Sequence, residues 1–212
     1  MYKLFYAPAS ASMGVRVMLE EIGAPYELIE TTIDREKARP REQLKLNPNG
    51  WVPVLQWEKG AMYECAAITI FLCDRHPTAC LAPDKNDPTR GLFLQTLVYF
   101  SNSVQNAFQL TYYPDRFADT PADEPGAERR GVRRLRETWN VINDQIGDRE
   151  WILGDRFSAA DIYLFMLSTW LIAYKHHPTV DEFPNVKRIA DAVVCRPSVQ
   201  LVYESWISNQ AG

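Results

Sequence analysis

Downstream of Pro88 the sequence carries no convincing strand, whereas the residues before His76 switch repeatedly between two hydrophobic periods. That change confines the chain to an α/β half followed by an all-helical half. Lys3 to Ala7 alternates and is aromatic-rich, as a strand does. Pro8-Ala9-Ser10-Ala11-Ser12 reads as a turn. Met13 to Ile22 has helical spacing and ends at Gly23, which suits the C′ position. Tyr26 to Thr31 alternates again, and Arg41 to Leu46 reads as a short helix stopped by Asn47-Pro48. Val52 to Gln56 and Ala61 to Tyr63 read as a hairpin, and Cys65 to Arg75 as an apolar helix. His76 to Pro88 is rich in proline and aspartate, as linkers are. Helical patterns then cover Thr89–Phe117, Pro125–Ile146, Ser158–Tyr174, Phe183–Cys195 and a short run from Ser198. The expected organisation is an α/β domain over residues 1–77, a linker over 78–88 and an all-α domain over 89–212.

Composition narrows the function classes. A chain of 212 residues is long enough for a real core. Its formal net charge of −4 argues against non-specific nucleic-acid binding, which needs a basic surface. No apolar run approaches the ~18–20 residues of a membrane span. The strand-like start leaves no visible signal peptide, so a cytoplasmic protein is expected. Cys65, Cys73, Cys80 and Cys195 form no C-x-x-C and no zinc spacing, which reads as reduced thiols. His176 and His177, placed on a helix, point roughly 100° apart, so no metal site is expected there.

The stretch Asn47-Pro48-Asn49-Gly50-Trp51-Val52-Pro53-Val54-Leu55 is the most specific in the chain. Proline removes a ladder donor and belongs at a strand edge or break. A cis Val52–Pro53 bond lets Val52 present both its N–H and its C=O outward, a site for docking a peptide backbone. Asn-Pro-x-Gly-x-Val-Pro-x-Leu followed by Glu64-Cys65-x-Ala-Ile-x-x-x-Leu resembles the glutathione-binding half of the cytosolic glutathione transferases. Gly154-Asp155-Arg156-Phe157-Ser158-x-x-Asp161 is similar to that family's loop and helix cap. Phe183-Pro184-Asn185-Val186 and Arg196-Pro197-Ser198-Val199 are similar to its C-terminal pattern. The resemblance spans essentially the whole chain. It implies a thioredoxin-like N-terminal domain with a cis-proline, joined to an all-α domain.

The resemblance implies roles as well. Val52 beside Pro53 pairs with the cysteinyl backbone of glutathione. The γ-glutamyl carboxylate sits at the helix start at Cys65, where free N–H groups favour an anion, and Glu64 faces the γ-glutamyl ammonium. Relatives usually carry serine where this chain has Cys65, a weaker donor. Many carry lysine at the position of Trp51, which reaches the glycyl carboxylate; Lys37, Arg39, Arg41 and Gln43 are the replacements available here. In serine-type relatives the hydroxyl that stabilises the thiolate falls two residues after a proline, at Ser10, with Ser12 competing. The plainer reading of Ser12 is an N-cap for the Met13 helix. Tyr6 is expected to line the site. In the bacterial beta class the reactive cysteine falls at Ala11 and its histidine near Gln105; both are missing, which favours a serine-type thiolate mechanism over mixed-disulfide chemistry.

An electrophile pocket is expected between the halves, from Gln105, Phe108, Tyr112, Tyr113, Trp170 and Tyr174. Tyr112 and Tyr113 are the candidate donors to a developing anion. The resemblance also implies a homodimer and a detoxifying conjugation of glutathione to a hydrophobic electrophile, without a metal. The competing reading is a non-catalytic glutathione-fold carrier. A glutathione-dependent reductase or peroxidase wants a cysteine at the active turn, where none stands.

Overall fold

The computed structural model describes residues 1–210. Contacts divide the chain into two units, Met1–Asp84 with the chain from Val194 onward, and Lys85–Val193.

The first unit is built on a four-stranded sheet: β1 (Tyr2–Tyr6), β2 (Tyr26–Glu30), β3 (Val54–Trp57) and β4 (Gly60–Tyr63), in the order β2-β1-β3-β4. β1 runs parallel to β2, with Tyr2 opposite Tyr26, and antiparallel to β3, with Phe5 opposite Val54. As a central strand β1 is covered on both faces, and Leu4 and Phe5 are fully buried. Helices α1 (Ser12–Ile22) and α3 (Cys65–Arg75) pack together. They bury Val15, Val17, Met18 and Leu19 from one helix, and Ile68 and Leu72 from the other. Gly23 ends α1 at φ +67, a conformation a Cβ disfavours, and its N–H caps Glu20 and Leu19. The short α2 (Arg41–Leu46) leads into the loop before β3, where the Val52–Pro53 peptide is cis.

The C-terminal helices α9 (Pro197–Val202) and α10 (Glu204–Gln210) belong to this unit. Arg196 grips Glu21 of α1 through two 2.7 Å bonds, and the Ser198 hydroxyl donates to the same carboxylate. These contacts hold the Glu21 carboxyl below its ordinary range despite its burial. A bidentate guanidinium–carboxylate fork is the strong form of this pair.

The second unit is helical: α4 (Arg90–Tyr99), α5 (Gln105–Tyr112), α6 (Glu124–Ile146), α7 (Ala159–Ser168) and α8 (Pro184–Val194). α5 lies close on α6 because Gly131 has no side chain; a Cβ there meets Thr111 Cγ2 at 2.6 Å and Leu110 Cβ at 2.8 Å. α7 is buried throughout Ala159–Leu167. It starts on a capping box in which Asp161 accepts from Ser158 N, from Ser158 Oγ and from Ile152 N, the first and last at 2.8 and 2.9 Å. This is the folding role expected of Ser158 and Asp161.

Two helical expectations need correction. The pattern over Thr89–Phe117 ends at Tyr112, and the helical path from Arg90 passes through five residues in π conformation, Phe100–Val104, between α4 and α5. The pattern over Ser158–Tyr174 stops at Ser168. There the Ser168 and Thr169 hydroxyls bond back to the carbonyls of Phe165 and Met166, and Ile172 N–H turns to the His177 ring. His176 and His177 therefore leave a 3₁₀ turn, His176 at φ 58, and do not share a helix.

Candidate active site

The loop before β3 leaves its key backbone open. Among the described residues no partner meets the N–H or the C=O of Val52, which sits two positions before β3. The loop is held from behind by the fully buried Gln43 of α2, which accepts from Thr31 Oγ1 at 2.7 Å and donates to Gly50 O at 3.0 Å and Trp51 O at 3.3 Å. Asn47 Nδ2 donates to Trp51 O, and Asn47 Oδ1 accepts from Asn49 N. Gly50 turns at φ +70, a conformation a Cβ disfavours, and a Cβ there stands 3.3 Å from Leu44 Cδ2.

These bonds correct the reading of the glycyl-carboxylate candidates. Gln43 is a brace whose amide is spent inside the loop. The Arg39 guanidinium is likewise spent, on the carbonyls of Gly50, Asp34 and Lys37. Lys37, 3.5 Å from Asp34, and Arg41, exposed at the start of α2, remain on the surface. Trp51 is about half exposed and cannot supply the charge.

Glu64 stands between β4 and α3 at φ 75, ψ 112, outside the regions a side chain favours, with its carboxylate exposed. Non-glycine strain of this kind costs on the order of 1–3 kcal/mol and collects at ligand clamps. The first turn of α3 presents amides without intrahelical acceptors. Cys65 does not take the outward role of the relatives' serine: its thiol is buried and points to the carbonyl of Ala11 at 3.7 Å.

The turn before α1 gathers the two serines. Ser10 Oγ and Ser12 Oγ lie 2.6 Å apart, and both reach the carbonyl of Ala7, at 2.7 and 3.1 Å. Ser12 Oγ also accepts from Ala7 N, and Ser10 Oγ from Ser12 N. Ser12 is the first residue of α1 and makes no side-chain cap, so the N-cap reading is overturned: Ser10 already serves its amide, and its own hydroxyl closes the loop backward. Two hydroxyl protons serve this knot. If Ser12 keeps Ala7 O, Ser10 can turn its proton outward without orphaning a carbonyl, whereas Ser12 is wholly enclosed. Among the described residues the amides of Ser10 and Ala11 also lack an acceptor. Tyr6 is buried, and its ring and hydroxyl meet the Arg16 guanidinium, which also donates to Tyr26.

In the helical unit the predicted pocket residues separate into two groups. Phe108 is buried core, in contact with the rings of Tyr112, Trp170 and His177. The Tyr112 hydroxyl donates to Trp170 O at 2.7 Å, and burial raises that phenol well above its ordinary pKa, so it is no free donor. Gln105 accepts from the buried Tyr163 hydroxyl, leaving its amide nitrogen available. Tyr113 carries the Arg116 guanidinium 4.1 Å over its ring, and Tyr174 is mostly exposed.

Sequence reasoning missed His177. It is buried, its Nδ1 accepts from Ile172 N at 3.2 Å, and its Nε2 lies 3.0 Å from Thr111 Oγ1. The amide fixes the tautomer with the proton on Nε2. Thr111 passes its own proton to Phe108 O. Among the described residues no group of three or more His, Cys, Asp or Glu is placed to hold a metal ion, and no helix is long and apolar enough to cross a membrane.

Profiles described as Glutathione S-transferase, N-terminal domain, and Glutathione S-transferase, C-terminal domain, match residues 4–81 and 125–192. Glutathione S-transferase GstA of Escherichia coli O157:H7 is 27% identical over 200 residues, covering 93% of this chain and 95% of that protein. A sphingomonad glutathione S-transferase, solved in complex with glutathione, superposes with a TM-score of 0.81 at 26% identity, over 96% of this chain and 98% of that one. The bacterial enzyme BphK, solved as a ternary complex, superposes with a TM-score of 0.83 at 27% identity and the same coverage. With both halves matched, in sequence and in fold, the chain belongs to the glutathione S-transferase family.

Proposed function

We propose that this enzyme conjugates glutathione to a hydrophobic electrophile, with the Ser10 hydroxyl as the side-chain donor that stabilises the thiolate. The observation that carries the reading is the unpaired N–H and C=O of Val52, a docking edge for a tripeptide backbone, with the Glu64 carboxylate exposed for its ammonium. The first turn of α3 takes the γ-glutamyl carboxylate, and Lys37 or Arg41 the glycyl end. At neutral pH a free thiol, with a pKa of about 8.5, is mostly protonated and a poor nucleophile. Hydroxyl and amide donors at the start of α1 lower that pKa by stabilising the anion. The thiolate lone pair then forms the new C–S bond while a leaving group departs with its electron pair. Of the electrophile-side residues, Gln105, Tyr112, Tyr113, Trp170 and Tyr174 keep accessible surface, and Phe108 is buried. Residues 1–77 form the glutathione domain, 78–88 the linker and the chain from 89 the helical domain, its last helices α9 and α10 returning to the first unit, in a cytoplasmic homodimer acting in detoxification.

Titrating the bound thiol by thiolate absorbance tests the assignment. Ser10→Ala is expected to raise its pKa by about one unit, a tenfold fall in the thiolate-to-thiol ratio. An unchanged value removes the side-chain role and leaves the amides of Ser10 and Ala11 as the donors. A pKa that stands at the solution value in the unmodified protein favours the carrier reading.

A further inference from the structure

Where β1 begins, at the end of the sheet opposite the Ser10 turn, a cleft of about 310 Å³ is lined by groups that the conjugation does not use. β1 is five residues long, so the cleft lies on the order of 15 Å from the turn at a rise of ~3.3 Å per residue. Its walls are the α1–β2 turn at Gly23–Pro25, the hairpin residues Trp57 and Glu58, and Arg75 and His76 at the end of α3, with Tyr2 buried beneath.

The Arg75 guanidinium stands 5.8 Å from the Tyr2 ring centroid and 5.6 Å from that of Phe71. The Tyr2 hydroxyl lies 2.8 Å from His76 Nε2. Burial and the Arg75 charge hold His76 below the usual imidazole range, so its ring is neutral at pH 7. The Tyr2 phenol and His76 Nε2 share one proton, and the His76 ring stands in the lining of the cleft. Trp57 leans on Phe71 with ring centroids 4.6 Å apart and is partly exposed, a flat aromatic wall. Arg136, Arg156 and Arg196 each pair with a carboxylate, but among the described residues Arg75 has none within ion-pair distance. The rings steady the Arg75 fork, so less side-chain entropy is lost when it takes up a carboxylate. Glu58 at the rim opposes multiply charged anions.

We infer that this cleft binds a small aromatic monocarboxylate, with its carboxylate on Arg75 beside the His76 ring and its own ring against Trp57. The volume is at the small end for ligand pockets and suits one ring or a fused pair.

The test uses 2-naphthoate as probe on the full chain, by calorimetry and indole fluorescence, with and without saturating glutathione. Binding below about 1 mM that is indifferent to glutathione is expected. Arg75→Met should weaken it at least tenfold and Arg75→Lys by a smaller factor, because the fork is lost while the charge stays. Glu58→Gln should tighten it a few-fold, and 2-naphthylmethylammonium should not bind. Trp57→Leu should abolish the probe-induced fluorescence change. Unchanged affinity in Arg75→Met places the probe elsewhere and overturns the assignment, as does displacement by glutathione or no binding in the millimolar range.

Discussion

The sheet-bearing unit and the helical unit treat their polar groups in opposite ways. Around the β3 loop and the α1 turn, polar groups stand open: the Val52 backbone pair, the Glu64 carboxylate, and the amides of Ser10 and Ala11. Around Phe108 in the helical unit they are closed on one another. Tyr112 gives its proton to Trp170 O, His177 bonds at both ring nitrogens, and Lys175 meets Thr111 O and Glu128. Open groups cost solvation when covered and regain it only from a ligand, whereas closed groups have their partners already. The proposed function accordingly draws its recognition chemistry from the first set and treats the aromatic and histidine cluster as scaffold.

The largest expected effect tests the closed set. Burial, reinforced by the Lys175 charge, lowers the His177 pKa to about 4, while the Trp170 backbone and Glu128 pull the other way. The unfolded chain, with an imidazole near 6.5, binds the proton first. Stability is therefore fully present above about pH 6.5 and falls as the pH drops toward 4, by about 3 kcal/mol over that window. Protonation puts an Nδ1–H against the Ile172 N–H, which is the structural form of the same penalty. Denaturant melts of the unmodified protein and His177→Asn should differ in slope between pH 4 and 6.5. Parallel curves would mean that the ring is not held neutral.

Next comes Gln43→Leu. The buried amide serves Thr31, Gly50 and Trp51, and Arg39 and Asn47 only partly replace it. A loss of about 2 kcal/mol in stability is expected, with glutathione affinity reduced about tenfold because the loop presenting Val52 loses its brace. Affinity that holds while stability falls would show that the open edge does not depend on its backing, and would blur the contrast between the units.

What was legible in the sequence follows the same division. Asn47-Pro48, Gly50 and Pro53 act on their own backbone, so the turn and the cis peptide of this loop could be read from local chemistry. The Ser158/Asp161 box was readable for the same reason. Gln43 was not, because a polar residue in a six-residue helix looks solvent-facing until the loop folds over it. Ser12 was misjudged because the N-cap preference was outweighed by a second hydroxyl two residues earlier. The helix expected to reach Tyr174 is cut by Ser168, Thr169 and a histidine five residues beyond Ile172, a contact with no periodic signature.

Glu64→Gln probes an open group at the cost of one charge. A carboxylate facing an ammonium is worth about 1.5–3 kcal/mol where the neutral amide gives about 1. Calorimetric titration should show roughly tenfold weaker glutathione binding, with the melting temperature unmoved because Glu64 is exposed. Equal affinity would remove Glu64 from the clamp.

The smallest effect separates the two readings of Tyr112. As a closed group it stabilises the fold through one hydrogen bond to Trp170 O, so Tyr112→Phe should cost about 1 kcal/mol of stability and leave kcat/KM within about twofold. As a donor to a developing anion its removal should cost about a hundredfold or more in rate. The phenol is already committed and its pKa is raised by burial, so giving up the proton to a substrate would first require breaking the Trp170 contact. A hundredfold loss with unchanged stability would reverse the assignment and make this part of the helical unit a participant in the chemistry.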